Sequence, residues 1–279
     1  MKNICLIGLG YWGNTILKTL IKMGEKNIII CEKDKTRVQN LGFNFPVVSD
    51  YKKINADYYF VVTPAESHFS ICEYLLKKQK TVFCEKPLCL DKKQVHNLYK
   101  LKGNLFVDWV FLYNEHFNYI RGILPKLGEL KSIEFNRLNY GPIRYDVGAF
   151  IDLSSHDLSM LCALMDFQKK NLKIINYKIN NKSIQNDSNV CFLNDKVKVL
   201  INSSWEYNLK NRDVIFNFDK NILVWDDITQ TINLNGKILN FKSEKSPLEN
   251  SIETYFKQNE NDYLYNKTLT LRVSDIILK

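Results

Sequence analysis

The chain has 279 residues, 45% hydrophobic and 25% charged, which is typical of a soluble globular protein with room for two modest domains. It contains no run of eighteen apolar residues, so we expect no transmembrane helix, and the short apolar stretch at residues 4–10 predicts a strand rather than a secretion signal. The net charge of +9 comes from lysines spread along the chain, which favours an acidic small ligand over a nucleic-acid or membrane partner.

The seven cysteines are scattered, odd in number and free of Cys-x-x-Cys spacing. Several fall within apolar strand patterns, where cysteine behaves as a small hydrophobic residue. This pattern indicates a reducing, cytoplasmic environment and predicts neither a disulfide framework nor a metal site.

A dinucleotide-binding fingerprint opens the chain. A strand predicted at residues 3–7 runs into Gly8-x-Gly10-x-x-Gly13, a helical pattern follows, and Glu32 ends the next apolar strand. The three glycines permit a tight turn, close approach of the backbone to a pyrophosphate and close helix–strand packing, while the helix N-terminus offers N–H groups. We therefore expect this turn to bind a dinucleotide.

Glu32 also bears on which dinucleotide binds. At the end of the second strand its carboxylate would accept hydrogen bonds from the adenosine ribose and would repel a 2′-phosphate. This predicts NAD rather than NADP, although Lys33, Lys35 and Arg37 stand close enough in sequence to tolerate the phosphate.

A second polar group, Glu85-Lys86-Pro87, follows the strand predicted at residues 81–84. Open α/β sheets bind their ligands outside the carboxyl ends of the strands, and a proline restricts the residue before it, so the direction of Lys86 is partly fixed. A lysine placed against a cofactor can act as a general acid or base. Taken alone, the same tripeptide also occurs in ordinary polar turns.

Strands and helices alternate up to residue 112, which predicts a doubly wound parallel sheet with right-handed crossovers. The strand predicted at residues 57–62 ends in Thr63-Pro64 and neighbours the strand before Lys86, so both ends can reach one nicotinamide. His68 lies early in the following helix, where a surface position and a cofactor-side position are equally open.

After residue 112 the pattern changes. Residues 172–241 consist mostly of strand-like segments that are separated by Asn-rich turns. This pattern predicts an open, mostly antiparallel sheet. We expect an α/β protein of two domains, a dinucleotide-binding Rossmann domain at residues 1–112 and an α+β domain for substrate binding and oligomerisation at residues 113–279.

A long helix predicted at residues 146–165 carries Asp152 and His156, four residues apart and therefore on one helix face. Such a pair can flank a substrate hydroxyl, with the imidazole taking its proton and the carboxylate holding the sugar or orienting the ring. The same spacing is also common in exposed pairs without a function.

Together these motifs resemble those of the glucose–fructose oxidoreductase / inositol dehydrogenase (Gfo/Idh/MocA) family. They occur in the family's order and spacing: Gly8-x-Gly10-x-x-Gly13, Thr63-Pro64, Glu85-Lys86-Pro87 and Asp152-x-x-x-His156. The resemblance covers essentially the whole chain and implies hydride transfer between NAD(P) and a sugar or cyclitol carbon, in a homodimer or homotetramer. It also implies that Lys86, Asp152 and His156 are the catalytic set and that the Lys86-Pro87 peptide is cis.

The resemblance further implies which residues bind the ligands. Those expected at the cofactor are Gly8, Gly10, Tyr11, Trp12, Gly13, Glu32, Thr63, Pro64, His68, Glu85 and Lys86. The motifs around residues 111–114 and 137–144 look most like the branch acting on nucleotide-linked sugars in bacterial surface polysaccharide pathways. Those expected at the substrate are Asn114, Arg137, Arg144, Tyr145, Asp152 and His156, the arginines because they pair bidentately with diphosphate or uronate groups. Asp108-Trp109 departs from the Gly-His pair of many relatives.

The leading hypothesis is an NAD-dependent oxidoreductase that acts on a secondary hydroxyl, at C3, of a nucleotide sugar. His156 is the preferred base, Asp152 binds sugar hydroxyls, and Lys86 polarises the alkoxide or relays the proton, although the sequence leaves open which of Lys86 and His156 takes the first proton. The alternatives are a dehydrogenase of free sugars or inositols, and a non-catalytic NAD-binding sensor. Such sensors typically lose the lysine or the histidine, and this chain keeps both.

Overall fold

The computed structural model of the protein forms two compact units. The residues that it describes are 2–38, 42, 44–141, 147–165, 172–181, 185–194 and 196–278. Unit 1 contains the described chain up to Asp108 together with Leu248–Ser274 and Leu278. Unit 2 contains Trp109–Pro247 and Asp275–Ile277.

Unit 1 is built on a six-stranded parallel sheet. Its strands are β1 (Ile4–Ile7), β2 (Ile28–Cys31), β3 (Val47–Val48), β4 (Tyr58–Val61), β5 (Thr81–Cys84) and β6 (Asn104–Val107). Their order across the sheet is β3-β2-β1-β4-β5-β6, and every neighbouring pair is parallel. This is the doubly wound order of a dinucleotide-binding fold, so the predicted sheet is confirmed.

Three helices connect these strands: α1 (Tyr11–Lys22), α2 (Ala65–Lys77) and α3 (Lys92–Leu98). Their boundaries follow local signals, since α1 buries Ile16, Leu17 and Leu20 on one face and the Asp91 carboxylate caps α3 by accepting from the Gln94 N–H.

Short 3₁₀ turns also occur beside this sheet. One lies at Lys35–Arg37, where the Asp34 side chain accepts from the Thr36 N–H. Another lies at Val110–Tyr113, after β6 has ended at Val107.

Unit 2 is built on an eight-stranded sheet accompanied by helices α4 (Glu115–Ile123) and α5 (Ser155–Leu164). Its strands are β7 (Leu130–Tyr140), β8 (Leu172–Asn181), β9 (Gln185–Asn194), β10 (Val197–Ser204), β11 (Glu206–Phe218), β12 (Ile222–Asp226), β13 (Thr231–Leu234) and β14 (Lys237–Leu239). They are ordered β14-β13-β12-β11-β7-β10-β9-β8, and all pairs are antiparallel except β7 with β10. The mostly antiparallel sheet is thereby confirmed.

The long helix predicted at residues 146–165 is regular only in its second half. Phe150–Ser154 forms a π-helical turn before α5 begins at Ser155. The Ser155 hydroxyl donates to the Asp152 carbonyl at 3.1 Å, and such local side-chain bonds compete with a regular helical ladder. The start of the prediction, residue 146, lies outside the described residues.

The C-terminal helices α6 (Pro247–Lys257) and α7 (Glu260–Ile277) return most of their length to unit 1. The single hydroxyl proton of buried Tyr255, on α6, is shared between the carbonyls of Thr81 at 2.9 Å and Tyr59 at 3.2 Å, which lie on the parallel sheet. The expected domains, residues 1–112 and 113–279, placed both helices in the second domain. The periodicity of a helix shows which face is buried but not which sheet packs against that face. No helix in the described ranges has the length and apolar content needed to cross a lipid bilayer.

Asn266 of α7 completes the outer edge of the parallel sheet. Its side-chain amide accepts from the Val107 N–H and donates to the Val107 carbonyl, both at 2.9 Å, and it is buried. Since β6 is an edge strand, these two backbone groups point away from β5, and Asn266 replaces the neighbouring strand that they lack.

We therefore predict that Asn266→Ala lowers the free energy of unfolding by about 2 kcal/mol or more, because a buried group left without its partner costs about 1–3 kcal/mol. Urea denaturation of the full chain measures this loss. Asn261→Ala, at an exposed position of the same helix, is the matched control and should change stability far less. Equal losses in the two variants would contradict the edge role.

Candidate functional site

The glycine turn between β1 and α1 leaves no room for side chains at two of its positions. A Cβ at Gly8, where φ is +94°, would lie 2.7 Å from the Val62 carbonyl oxygen. A Cβ at Gly13 would lie 2.2 Å from the Gly8 carbonyl oxygen. In the described chain no side chain caps α1 at Gly10, so the first N–H groups of the helix face outward as an anion-binding end. This cradle fits the pyrophosphate of a dinucleotide.

Glu32 holds the turn against β2. Its Oε2 accepts from the Leu9 N–H at 2.7 Å, and its Oε1 accepts from the N–H groups of Lys33 and Asp34 at 2.8 and 2.9 Å. Arg37 places its Nη1 3.9 Å from Glu32 Oε2 and would lie 3.7 Å from a Cβ at Gly10. The ribose contact expected of Glu32 stays a prediction, and Arg37 adds a half-exposed cation at the same turn.

His68 contacts the two turns that follow β4 and β5. Its Nδ1 lies 2.9 Å from the Pro87 carbonyl oxygen and its Nε2 lies 2.7 Å from the Thr63 carbonyl oxygen. Carbonyl oxygens only accept, so each contact is a hydrogen bond when the facing ring nitrogen carries a proton. The side chain is 1% exposed, which differs from the helix-surface alternative and favours a positioning role over direct cofactor contact.

Lys86 follows β5 at the carboxyl edge of the parallel sheet. The Trp12 indole N–H donates to Glu85 Oε1, and the Lys86 backbone N–H donates to Glu85 Oε2 at 3.3 Å. The Lys86-Pro87 peptide is cis, as the resemblance implied. Trp12 therefore connects the glycine turn to the strand end that carries Lys86, whereas Tyr11 beside it is 89% exposed.

In unit 2, Asp152 and His156 lie on successive parts of one helical segment. Asp152 is buried within the π-helical turn, a type of distortion that is frequent at functional sites, and His156 follows in the first turn of α5. The half-buried His156 ring packs against Phe111, with ring centroids 4.9 Å apart. Phe111 therefore helps to fix the orientation of the imidazole.

Arg137 of β7 is buried behind this ring pair. Its Nε donates to Asp157 Oδ1 at 2.7 Å, and its guanidinium carbon lies 4.0 Å from the centre of the Phe111 ring. Phe111 thus lies between Arg137 and His156. With both Arg137 and Asp157 buried, this arrangement favours positioning of His156 over direct contact with a diphosphate.

Two more charged residues complete this cluster. Arg212 stands opposite Arg137 in the pairing of β11 with β7, and Asp227 donates its backbone N–H to the Arg212 carbonyl at 2.8 Å. Burial raises the pKa of Asp157 to about 6, although the charge of Arg137 opposes this rise. Burial also raises the pKa of Asp227 and lowers the pKa of Arg212. Sequence reasoning missed Arg212, Asp157 and Asp227, although the adjacency of Asp157 to His156 was a visible signal.

The other expected substrate residues divide into two groups. Asn114 is buried and caps α4, since its Oδ1 accepts from the His116 N–H at 2.8 Å. Arg144 and Tyr145 lie outside the described residues. Direct substrate contacts by these three residues stay predictions.

Comparison with known proteins bears on the family of the N-terminal region and on the fold of the chain. Residues 2–104 match the model of the Gfo/Idh/MocA family, described as an oxidoreductase family with an NAD-binding Rossmann fold. The resemblance inferred from the motifs is thereby confirmed for this region, which has an NAD-binding Rossmann fold.

The sequence likeness to a curated protein is local. Inositol 2-dehydrogenase of Rhizobium meliloti is 27% identical over 111 residues, which are 36% of this chain and 34% of that protein. The alignment therefore spans about a third of the length of this relative.

The likeness to solved structures extends over the whole chain. A structure described as that of an oxidoreductase from Magnetospirillum magnetotacticum MS-1 has a TM-score of 0.84 at 19% identity, covering 99% of this chain and 98% of its own. UDP-N-acetylglucosamine 3-dehydrogenase from Acidithiobacillus ferrooxidans has a TM-score of 0.80 at 15% identity, covering 98% and 94%. A 3-ketoreductase from Actinomadura kijaniata, solved with TDP-benzene and NADP, has a TM-score of 0.81 at 16% identity, covering 98% and 96%. At these identities the likeness shows the shared fold.

We predict that Gly13→Ala lowers NADH affinity at least about tenfold, because its Cβ would collide with the Gly8 carbonyl and force the turn and the start of α1 apart. A fluorescence titration with NADH measures the dissociation constant. Gly122→Ala is the matched control, since it lies in α4 with open space around the added methyl group. Unchanged affinity in a folded Gly13→Ala protein would contradict the cradle.

Proposed function

We propose that the protein is a cytoplasmic, NAD-dependent oxidoreductase that acts on a secondary hydroxyl of a sugar, at C3 of a nucleotide sugar used for bacterial surface polysaccharide. One observation carries this proposal. An NAD(P)-binding Rossmann domain places Lys86 at the carboxyl end of β5, tied through Glu85 and Trp12 to the glycine turn. The names of the two structural relatives, a UDP-N-acetylglucosamine 3-dehydrogenase and a 3-ketoreductase, support the C3 position.

The bound nicotinamide would supply or accept the hydride, and the chain would bind, orient and exchange the proton. Glu32 supports the preference for NAD, because its carboxylate stands at the end of β2 where a 2′-phosphate would be repelled. Arg37, 51% exposed at the same turn, leaves some tolerance for NADP.

Three residues share the proton chemistry in this proposal. His156 takes the hydroxyl proton with its imidazole held by Phe111, Asp152 binds sugar hydroxyls, and Lys86 stabilises the developing alkoxide or relays the proton. Arg144 and Tyr145 contact the diphosphate or uronate. Asn114 also contacts the substrate, whereas the buried ion pair and ring contact of Arg137 support a positioning role for that residue. By resemblance, unit 2 also carries the contacts of a homodimer or homotetramer.

One alternative is a dehydrogenase of free sugars or inositols, favoured by the local likeness to inositol 2-dehydrogenase. The other is a non-catalytic NAD-binding sensor. The presence of both Lys86 and His156 in the chain argues against this alternative.

The test of this function is NADH formation with NAD and a panel of UDP-, dTDP- and GDP-sugars, with free sugars and inositol alongside. We expect a rise in NADH absorbance confined to a nucleotide sugar, and the reverse reaction with the matching keto-sugar. A rise with inositol or free sugars alone would favour the first alternative. Binding of NADH without turnover of any member of the panel in either direction would favour the sensor.

We predict that Lys86→Ala lowers kcat by roughly 10²–10⁴-fold, the usual contribution of a positioned proton-transfer group, while the NADH dissociation constant changes by less than about threefold. Steady-state kinetics and a fluorescence titration of the same preparation measure both quantities. Lys93→Ala, an exposed lysine of α3, is the matched control. Near-normal turnover of Lys86→Ala would remove this residue from the proposed chemistry.

A further inference from the structure

Two carboxyl groups lie side by side next to Lys86. Glu85 directly follows β5 and Asp108 directly follows β6, and the last pair of these parallel strands sets Cys84 opposite Val107. The Asp108 N–H donates to the Cys84 carbonyl at 2.9 Å, which continues the pairing by one residue. The two carboxyl groups therefore lie at neighbouring strand ends, close enough for each to change the pKa of the other.

Hydrogen-bond donors reach three of the four carboxyl oxygens. The Trp12 indole donates to Glu85 Oε1, the Lys86 backbone N–H donates to Glu85 Oε2 at 3.3 Å, and the Ser251 hydroxyl donates to Asp108 Oδ1 at 2.6 Å. Asp108 Oδ2 is buried, and within the described ranges no N–H or hydroxyl group donates to it. A buried acceptor without a donor is costly, and a proton held between the two carboxyl groups would remove that cost.

We propose that Glu85 and Asp108 share one proton at neutral pH, and that Asp108 is thereby a positioning residue for Lys86. The second half of this inference rests on the function proposed above for Lys86. Two ionised carboxylates in contact repel each other, whereas a pair that keeps one proton carries a single negative charge that the Lys86 ammonium balances.

The surroundings of the pair support this protonation. Burial raises the pKa of Glu85 well above its usual range, and the Asp108 charge raises it further against the opposing effects of Lys86 and Trp12. Burial raises the pKa of Asp108 to about 6 against the opposing effects of Ser251, Glu85 and Lys86. The groups that face the pair are Trp12 of α1, the Cys84 thiol and Lys86 on the β5 side, and Ser251 of α6.

The shared proton closes a hydrogen-bonded chain from Trp12 through Glu85 and Asp108 to Ser251. This chain joins the glycine turn, the ends of β5 and β6, and helix α6. Since Lys86 is the next residue after Glu85, fixing the Glu85 side chain also fixes the strand end on which Lys86 stands.

The sign of the pH effect follows from the raised pKa values. The folded protein keeps a proton that the unfolded chain releases above about pH 4, so this proton favours folding at low pH and its contribution falls as pH rises. Asp108→Asn reproduces the hydrogen bonds of a protonated Asp108, because its amide donates toward Glu85 and its carbonyl accepts from Ser251, but it cannot titrate.

The decisive experiment is urea denaturation of the full chain between pH 5 and 8 for wild type, Asp108→Asn, Glu85→Gln and the double variant. Relative to Asp108→Asn, we expect the folding equilibrium constant of wild type to fall by up to about tenfold per pH unit, which corresponds to one retained proton. Glu85→Gln should remove the same dependence, and the double variant should add nothing further, since one proton is lost only once. Glu260→Gln, at an exposed position of α7, should keep the wild-type dependence.

Parallel pH dependence of wild type and Asp108→Asn, or additive effects of the two substitutions, would overturn the shared proton. The positioning role is read from kinetics, where Asp108→Leu should turn over about tenfold more slowly than Asp108→Asn at equal NADH affinity. Equal turnover of these two variants would overturn that role. Absence of turnover in wild type would instead count against the proposed function, and the denaturation result would still decide the shared proton.

Discussion

The close packing of Gly13 against the Gly8 carbonyl is the constraint on which the rest of unit 1 depends. Because a Cβ at Gly13 would stand 2.2 Å from that oxygen, α1 starts nearer to β1 than a helix with side chains on both partners could. Because α1 starts there, the Trp12 indole can donate a hydrogen bond to Glu85. Glu85 follows β5, and β4 lies between β1 and β5 in the sheet. The same glycines that admit a pyrophosphate therefore also set the position of the strand end before Lys86.

Local motifs made much of unit 1 predictable. The glycine turn, the alternation of strands and helices and the tripeptide at Lys86 are contiguous signals, and their consequences follow from short-range sterics and sheet topology. The order of the six strands and the position of Lys86 at a carboxyl edge needed nothing more.

Contacts between distant segments were not predictable in the same way. Asn266 at the edge of β6, Tyr255 over the sheet and Ser251 at Asp108 join positions 143 to 196 residues apart in the chain. A single polar residue within a helix gives no sign of the strand that it will contact. The buried position of His68 has the same origin, since its two partner carbonyls belong to separate turns.

Unit 2 shows that a charged residue in a predicted binding motif can have structural contacts that the sequence does not reveal. Arg137 lies in a strand whose alternation places it on the buried side, where its ion pair with Asp157 and its stacking on Phe111 compensate for lost hydration. An arginine that reached a ligand would show the same residue type at the same spacing. The distinction depends on Asp157, which lies on α5 and approaches only after the sheet and helix have packed.

Both units hold a proton-transfer candidate by the same physical means. His156 packs on Phe111, and Phe111 lies against the guanidinium of Arg137, which is paired with Asp157. Lys86 follows Glu85, whose carboxyl group lies beside that of Asp108. In each case buried charges come with partners of opposite charge or with a shared proton, so that the group is fixed in direction without leaving a net charge unbalanced in the interior. Hydrogen bonds to buried charged partners are also more directional than apolar packing, which lets a small set of them hold a side chain to one orientation. For this reason we expect the residues that adjoin Lys86 and His156, rather than these two alone, to determine how well each exchanges a proton in the proposed reaction.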